Sequence, residues 1–287
     1  MAASLTIAII APGAMGAATA ARLHENGMRV LTSLEGRSAA SAARAKAAGM
    51  IAATDVELGQ ADIVLSIVPP GDALTLAQRL LPVLAAVEKK PVYADCNAVN
   101  PDTVKDIAAV IARTGCGFVD GGIIGGPPRK GYDGPVFYLS GEVGAVAAVA
   151  RLEEYGLVTR VLDGPVGAAS ALKMSYAGIT KGLTAIGSAM MLAAARAGAA
   201  EALKAELAHS QPNLLAYFTR SVPDMYPKAY RWVAEMEEIA RFNGDVPGRA
   251  MYEAIAAHYQ MLANDHAGER SEIDALTRFF DTPQKES

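Results

Sequence analysis

At 287 residues the chain is long enough to bury a sizeable core, and it exceeds the length at which single cores usually divide, so two domains are expected. A formal net charge of -4, with 26 Lys and Arg scattered among 30 Asp and Glu, offers no basic face to a phosphate backbone and argues against nucleic acid as a partner. The only two cysteines, Cys96 and Cys116, fall outside any CxxC or Cys/His ligand spacing, which argues against a disulfide framework and a structural zinc and fits a reducing cytoplasm.

The opening apolar run, Leu5 to Ala11, is too short to span a membrane and has no basic segment ahead of it that would make it a secretory signal. It reads as a strand bounded by Pro12-Gly13, followed by an Ala-rich helix that stops at Asn26-Gly27. Met28 to Ser33 reads as a second strand, Ser38 to Gly49 as a helix, and Ile63 to Val68 as a buried strand ended by Pro69-Pro70. Asp72 to Val87 is predicted helical, Val92 to Asp95 a strand, Pro101 to Arg113 a helix with proline in its first turn, and Gly117 to Gly121 a strand. Val136 to Ser140 and Val158 to Leu162 close the series around a helix over Val143 to Tyr155. Short apolar strands alternating with helices define a doubly wound parallel α/β sheet.

From Gly167 onward no strand pattern remains, and helical periodicities are broken near Gln211-Pro212, Val222-Pro223 and Gly244 to Gly248. The uncharged run Gly182 to Ala195 is too short to span a bilayer and reads as a buried helix. The expected organisation is an α/β domain over 1–164, a hinge at Asp163-Gly164-Pro165, an all-helical C-terminal domain over 165–287, and a polar tail from Thr282 to Ser287.

The first strand-to-helix turn reads Ala11-Pro12-Gly13-Ala14-Met15-Gly16, which is Gly-x-Gly-x-x-Gly with Ala11 in place of the first glycine. Gly13 lets the backbone approach a pyrophosphate, Gly16 permits close helix-to-strand packing, and the helix N-terminus turns unpaired N–H groups toward the anion. Placed at the head of a βαβ series, the turn reads as a Rossmann dinucleotide site with Pro12, Gly13, Ala14, Met15 and Gly16 as cofactor contacts; the bland alternative is a helix start with packing glycines. The end of the second strand selects the dinucleotide, because an acid there binds a ribose 2'-hydroxyl and an arginine a 2'-phosphate. Leu34 occupies the place of the acid, and Arg37 with Ser38 favours NADP, while Glu35 keeps NAD possible.

Hydride transfer needs a group that moves the alcohol proton. The four histidines, His24, His209, His258 and His266, lie in helical segments with no companion motif. Lys173, at the start of the first helix after the hinge, has small and apolar neighbours, and burial there would bring its pKa toward the working pH; by composition alone, a packed stem with a solvated ammonium is the competing reading.

Three motifs together resemble the β-hydroxyacid dehydrogenase family, which includes 3-hydroxyisobutyrate dehydrogenase and tartronate semialdehyde reductase and is related to 6-phosphogluconate dehydrogenase. They are Gly13-Ala14-Met15-Gly16, the stretch Asp120-Gly121-Gly122-Ile123-Ile124-Gly125-Gly126 resembling the family's D-A-P-V-S-G-G, and the helix start Gly167 to Lys173. The resemblance covers nearly the whole chain and implies a Rossmann domain followed by a helical domain built on a long helix, often with exchange of helices in a dimer. It implies reversible oxidation of a small 3-hydroxy acid with Lys173 as the proton-transfer residue, Gly125-Gly126 orienting the carboxylate, and Val68, Pro69 and Asn97 bordering the nicotinamide.

The departures shape the expected substrate. Ile124 stands where the family has a serine hydroxyl, and Ala177 stands where it has an asparagine; Tyr176, one turn from Lys173, is a replacement hydroxyl or a packing residue. In Trp232-Val233-Ala234-Glu235-Met236-Glu237-Glu238 the family's Lys-Asp pair has lost its lysine, so Trp232 and Glu235 form an acidic, aromatic lining suited to a 3-hydroxy amino acid; a solvated helix face is the alternative for Glu235 and Glu238. Two rival readings follow from the same features. An imine reductase shares the architecture but usually lacks the lysine, and a dinucleotide sensor would keep the cofactor turn without turnover. The apolar helix from Gly167 to Gly198 predicts a homodimer or a higher symmetric assembly.

Overall fold

In a computed structural model, residues 5–245 and 247–281 are described; the tail expected over Thr282 to Ser287 lies outside them. The chain divides into two compact units after Met174.

The first unit is built on eight strands, β1 (Thr6–Ile10), β2 (Arg29–Thr32), β3 (Ile51–Ala52), β4 (Ile63–Ser66), β5 (Val92–Asp95), β6 (Gly117–Ile124), β7 (Val136–Gly141) and β8 (Val158–Val161), in the order 3-2-1-4-5-6-7-8. Helices α1 (Ala14–Glu25), α2 (Ala39–Ala47), α3 (Asp55–Gly59), α4 (Ala73–Ala86), α5 (Pro101–Ala112) and α6 (Val143–Ala150) connect them. The helices clothe both faces, which is why β1 is apolar from Ile7 to Ile10: Ile7 and Ile9 enter one core layer with Leu23, Val30 and Leu139, and Ala8 and Ile10 enter the other with Val64, Leu80 and Ile107. Strand order reverses between β1 and β4, and the crevice above such a switch point is where this architecture binds ligands.

The sheet departs from a wholly parallel one at its far edge. β7 pairs antiparallel with β6, and β8 follows β7 in parallel. The segment from Gly125 to Pro135 has no helix to carry a crossover, so β7 can only return beside β6 in the opposite sense. β6 also runs to Ile124, past the two glycines that read as its end. Those glycines answer to packing: a Cβ on Gly121 would stand 2.6 Å from Cys96 Sγ, and one on Gly122 would stand 2.7 Å from the Ala169 carbonyl oxygen.

The expected hinge at Asp163-Gly164-Pro165 and the observed division differ because α7 (Ala168–Arg196) begins inside the first unit. Its first turn is hydrogen bonded to β6 and β7 through Asp120 and Ser140.

The second unit contains the rest of α7 with α8 (Ala200–Ser210), α9 (Pro212–Met225), α10 (Ala229–Phe242), α11 (Pro247–Ala267) and α12 (Ser271–Asp281), and among its described residues there is no strand. The break expected at Val222-Pro223 is absent: α9 runs through Pro223 to Met225, held by the buried side chains of Val222 and Met225, and the chain turns at Tyr226–Lys228 instead. Small residues on α7 admit aromatic rings from its neighbours. A Cβ on Gly187 would stand 2.4 Å from the Phe218 ring, and one on Gly178 would stand 2.9 Å from the Tyr252 hydroxyl. At 29 residues α7 is long and apolar enough to cross a bilayer by composition, and half of its apolar stretch is buried within the protein.

A half-buried histidine gives this unit an acid-sensitive element. Ser188 Oγ donates to the Ala185 carbonyl at 3.0 Å and lies 2.9 Å from His258 Nε2, so the ring nitrogen must be the donor in that pair. Burial holds the His258 pKa below its usual 6.5; Glu272 opposes the shift and Arg196 adds to it. The unfolded chain therefore takes up a proton that the folded one refuses, so this contribution to stability is present above about pH 6.5 and is lost as pH falls below it. The melting temperature is expected to fall more steeply from about pH 6.5 to about pH 5 in the wild type than in His258→Gln. Equal slopes would show that His258 is not the group responsible.

Candidate active site

The cofactor turn has the features an anion needs. Gly13 caps α1 without any side-chain hydrogen bond, the first helical turn carries no acid, and nothing stands within 4 Å of where a Gly13 Cβ would be. The leading N–H groups of α1 are thus left for a ligand, with open space over them. Gly16 is needed for a different reason, since a Cβ there would lie 2.1 Å from the Ala11 carbonyl oxygen. Ala11 replaces the usual first glycine without obstructing the turn because its methyl is part of the apolar core. Pro12 is buried, Met15 is half-buried against the core, and Ala14 is exposed. These residues fit a dinucleotide pyrophosphate.

At the end of β2, Ser38 caps α2 by accepting from the Ser41 N–H at 3.2 Å, and Glu35 and Arg37 are exposed. Glu35 lines a cavity of about 410 Å³ with Leu34, Thr54 and Asp55. Arg44, which sequence reasoning missed, donates from Nε to the Pro12 carbonyl at 3.2 Å and from Nη2 to Ser41 Oγ at 2.9 Å. It joins the cofactor turn to the start of α2. The spacing Ser38, Ser41, Arg44 along one helix face was the available signal.

Asn97 and Val68, placed together by the sequence, are hydrogen bonded: the Val68 N–H donates to Asn97 Oδ1 at 2.6 Å, and Asn97 Nδ2 donates to Ser66 Oγ at 2.7 Å and to Asp95 Oδ1. Pro69 follows Val68 directly.

The Lys173 side of the site is organised by Asp120, a fully buried carboxylate on β6. It accepts from Ser140 Oγ at 3.0 Å, the Gly167 N–H at 2.9 Å, the Ser170 N–H at 3.1 Å and Ser170 Oγ at 2.6 Å. A negative charge at the N-terminus of a 29-residue helix is favoured by the helix dipole as well as by these donors. Gly122 lets the helix rest on the strand, its missing Cβ falling 3.3 Å from Lys173 Cβ. Lys173 is half-buried, and its Nζ donates to the Ile123 carbonyl. The ammonium is thereby held at the end of β6, two residues before Gly125.

Gly125 has φ of 122°, a conformation that excludes other residues, and both Gly125 and Gly126 are exposed. Ile124 proves to be the last residue of β6, paired with Val136 and half-buried, so the hydroxyl that the resemblance places there is not recovered by local geometry. Tyr176, farther along α7, is 50% exposed.

In the second unit, Trp232 and Glu235, expected as an acidic, aromatic lining, lie together with Lys181. Glu235 is ion-paired with Lys181 of α7, and the Lys181 ammonium lies 4.9 Å from the centre of the Trp232 ring, which meets Tyr259 edge-on at 5.2 Å. Lys181 of α7 thus pairs with Glu235, which is not a bare carboxylate. Glu238 is buried and paired with Arg241, so it is not a solvated face residue either.

A glycine turn opening a helix at the switch point of a 3-2-1-4-5-6 sheet defines a dinucleotide-binding domain. Residues 6–159 match the NAD binding domain of 6-phosphogluconate dehydrogenase, and the chain belongs to that family as a β-hydroxyacid dehydrogenase-like member. Residues 194–262 match a domain of unknown function, DUF1932. An uncharacterized 28.5 kDa protein from the 7S RNA 5' region of Methanothermus fervidus is 31% identical over 170 residues, spanning 58% of this chain and 62% of that protein, which is less than two thirds of its length.

Among solved structures, conserved protein MTH1747, described as similar to 3-hydroxyacid dehydrogenases, is 28% identical with a TM-score of 0.71, over 92% of this chain and 98% of that one. The Mycobacterium tuberculosis 3-hydroxyisobutyrate dehydrogenase solved with L-serine has a TM-score of 0.71 at 19% identity, over 95% and 99% of the two chains. The Myxococcus stipitatus imine reductase variant in complex with NAD+ has a TM-score of 0.60 at 19% identity, over 97% and 100%. The fold is therefore that of the nicotinamide-dependent dehydrogenases and reductases.

Proposed function

We propose that this protein is an NAD(P)-dependent oxidoreductase that moves a hydride between nicotinamide and a 3-hydroxy acid or 3-hydroxy amino acid, with Lys173 as the proton-transfer residue. The observation that carries the reading is the Lys173 ammonium fixed at the Ile123 carbonyl, beside the exposed Gly125-Gly126 backbone. Bound at the α1 turn, the nicotinamide dinucleotide would accept the hydride from the hydroxyl-bearing carbon or return it. Lys173 in its amine form takes the hydroxyl proton as the carbonyl develops, and as the ammonium it gives the proton back in reduction. The Gly125 and Gly126 N–H groups hold the carboxylate. Pairing of Glu235 with Lys181 removes the acid once available to a substrate amino group, so acids without one lead the class.

The test is nicotinamide absorbance with NADP and with NAD across 3-hydroxy acids, 3-hydroxy amino acids and cyclic imines. Turnover of the hydroxy compounds is expected. Turnover of imines alone would transfer the protein to the imine reductases, and tight dinucleotide binding with no turnover would make it a sensor.

NADP is the favoured dinucleotide, because Arg37 and Arg44 flank the capping Ser38. Arg37→Ala is expected to weaken NADPH binding about ten-fold and NADH binding little, whereas Arg44→Ala, which touches the turn itself, weakens both. An Arg37→Ala protein with unchanged NADPH affinity would favour NAD through Glu35. A homodimer formed in the cytoplasm completes the reading, supported by the exposed Tyr176, Ile179, Ile186 and Met190 at three-, seven- and four-residue spacing on α7. Light scattering is expected to give twice the chain mass, and a monomer would refute the assembly.

A further inference from the structure

A row of buried polar residues crosses the first unit at one level. Ser66, Asp95, Asp120 and Ser140 are register partners on β4, β5, β6 and β7, and none has any solvent exposure. Register partners project from the same face of a sheet, so two carboxyl groups stand side by side in the interior. Both cannot carry charge cheaply.

Their surroundings divide the roles. Asp120 has four donors and lies at a helix N-terminus. Asp95 accepts from Asn97 through Oδ1, and its Oδ2 has no hydrogen-bond partner among the described residues. Burial pushes the Asp95 carboxyl up to about 7, the Asn97 hydrogen bond opposes this, and the Asp120 charge adds to it. The groups facing it are Tyr93 and Cys96 from its own strand region, Ser66 from β4, Asn97 after β5, and Asp120 from β6.

Asn97 is held by these neighbours in one sense only. Both of its amide hydrogens are spent, on Ser66 Oγ and Asp95 Oδ1, while its carbonyl accepts the Val68 N–H. Turning the amide over would set its carbonyl against the Asp95 oxygen and its NH₂ against the Val68 N–H. We infer that Asp95 is a positioning residue that locks the Asn97 amide, and through it the Val68-Pro69 segment, so that the second lone pair of the Asn97 carbonyl is what Asn97 offers the cofactor. This rests on the reading that Val68, Pro69 and Asn97 border the nicotinamide. An ionised Asp95 accepts more strongly than a protonated one, so the lock tightens as pH rises through the neutral range.

The test is fluorescence titration of NADH, which lacks a 2'-phosphate and its separate titration, into the wild type, Asp95→Asn and Asn97→Ala from about pH 6 to about pH 8. Wild-type affinity is expected to rise about five-fold with pH, Asp95→Asn to bind weakly with no pH dependence, and Asn97→Ala to bind weakly throughout. If Asn97→Ala binds like the wild type, the placement of Asn97 at the cofactor is wrong. If Asn97→Ala is weakened but Asp95→Asn matches the wild type at every pH, that placement stands and the positioning role is overturned. Should Asp95→Asn fail to fold, the wild type still decides: its Asn97 side-chain amide NMR signal, assigned by its loss in Asn97→Ala, is expected to shift with a midpoint near 7, and a signal insensitive to pH overturns the inference.

Discussion

Lys173→Ala is expected to lower kcat by about 10³-fold while the Kd for NADPH stays within about three-fold of the wild type. Nζ is the only part of the side chain placed at the Ile123 carbonyl; the stem packs over Gly122, and neither belongs to the α1 turn. Alanine would remove the proposed proton carrier and some packing but leave the α1 turn in place. Lys173→Arg separates charge from proton transfer. A guanidinium keeps a positive charge and a donor for Ile123, yet it does not release a proton near neutrality, so it is expected to be as inactive as alanine. Measured kcat for Lys173→Ala within about ten-fold of the wild type would remove Lys173 from the chemistry.

The second large effect is on stability. Asp120→Ala is expected to cost about 4 kcal/mol or more, because it strips the acceptor from two buried hydroxyls and two backbone N–H groups at the start of α7. Thermal and urea denaturation measure this directly, and the expected fall in Tm is on the order of 10 °C. Turnover should also drop in the fraction that remains folded, since Asp120 anchors the turn from which Lys173 projects. Asp120→Asn preserves volume but sets an NH₂ among donors, so it is expected to recover little. A loss below about 1 kcal/mol would mean that the helix start is held by packing alone.

The layers of the first unit were legible because their physics is local. β1, β4 and β5 are short apolar runs, Asn100 and Ser38 announce helix starts, and the Ala11 to Gly16 turn sits between a buried strand and a helix. Where the sequence misled, the cause was a distant partner. Gly121 and Gly122 look like the end of a strand, but Cys96 and Ala169 are what forbid them a side chain. Pro223 looks like a break, but Val222 and Met225 are buried on either side of it.

The small α3 was legible and missed, for Thr54 and Glu57 form a capping box four residues long. In the site, Gly13 and Lys173 could be found from motifs. Arg44, Asp95 and Asp120 needed the register that sets β4, β5, β6 and β7 side by side, or the approach of α2 to the cofactor turn. The pairing of Glu235 with Lys181 was hidden for the same reason, since 54 residues separate the partners.

Hydride transfer is the central claim, and isotopic labelling tests it most directly. A 3-hydroxy acid carrying deuterium on its hydroxyl-bearing carbon would be incubated with the wild-type protein and NADP, and the reduced dinucleotide analysed by mass spectrometry. The prediction is deuterium on the nicotinamide ring, formed by the wild type and lost with Lys173→Ala. Reduced dinucleotide without the label, or none from any hydroxy acid despite tight binding of NADP, would contradict it.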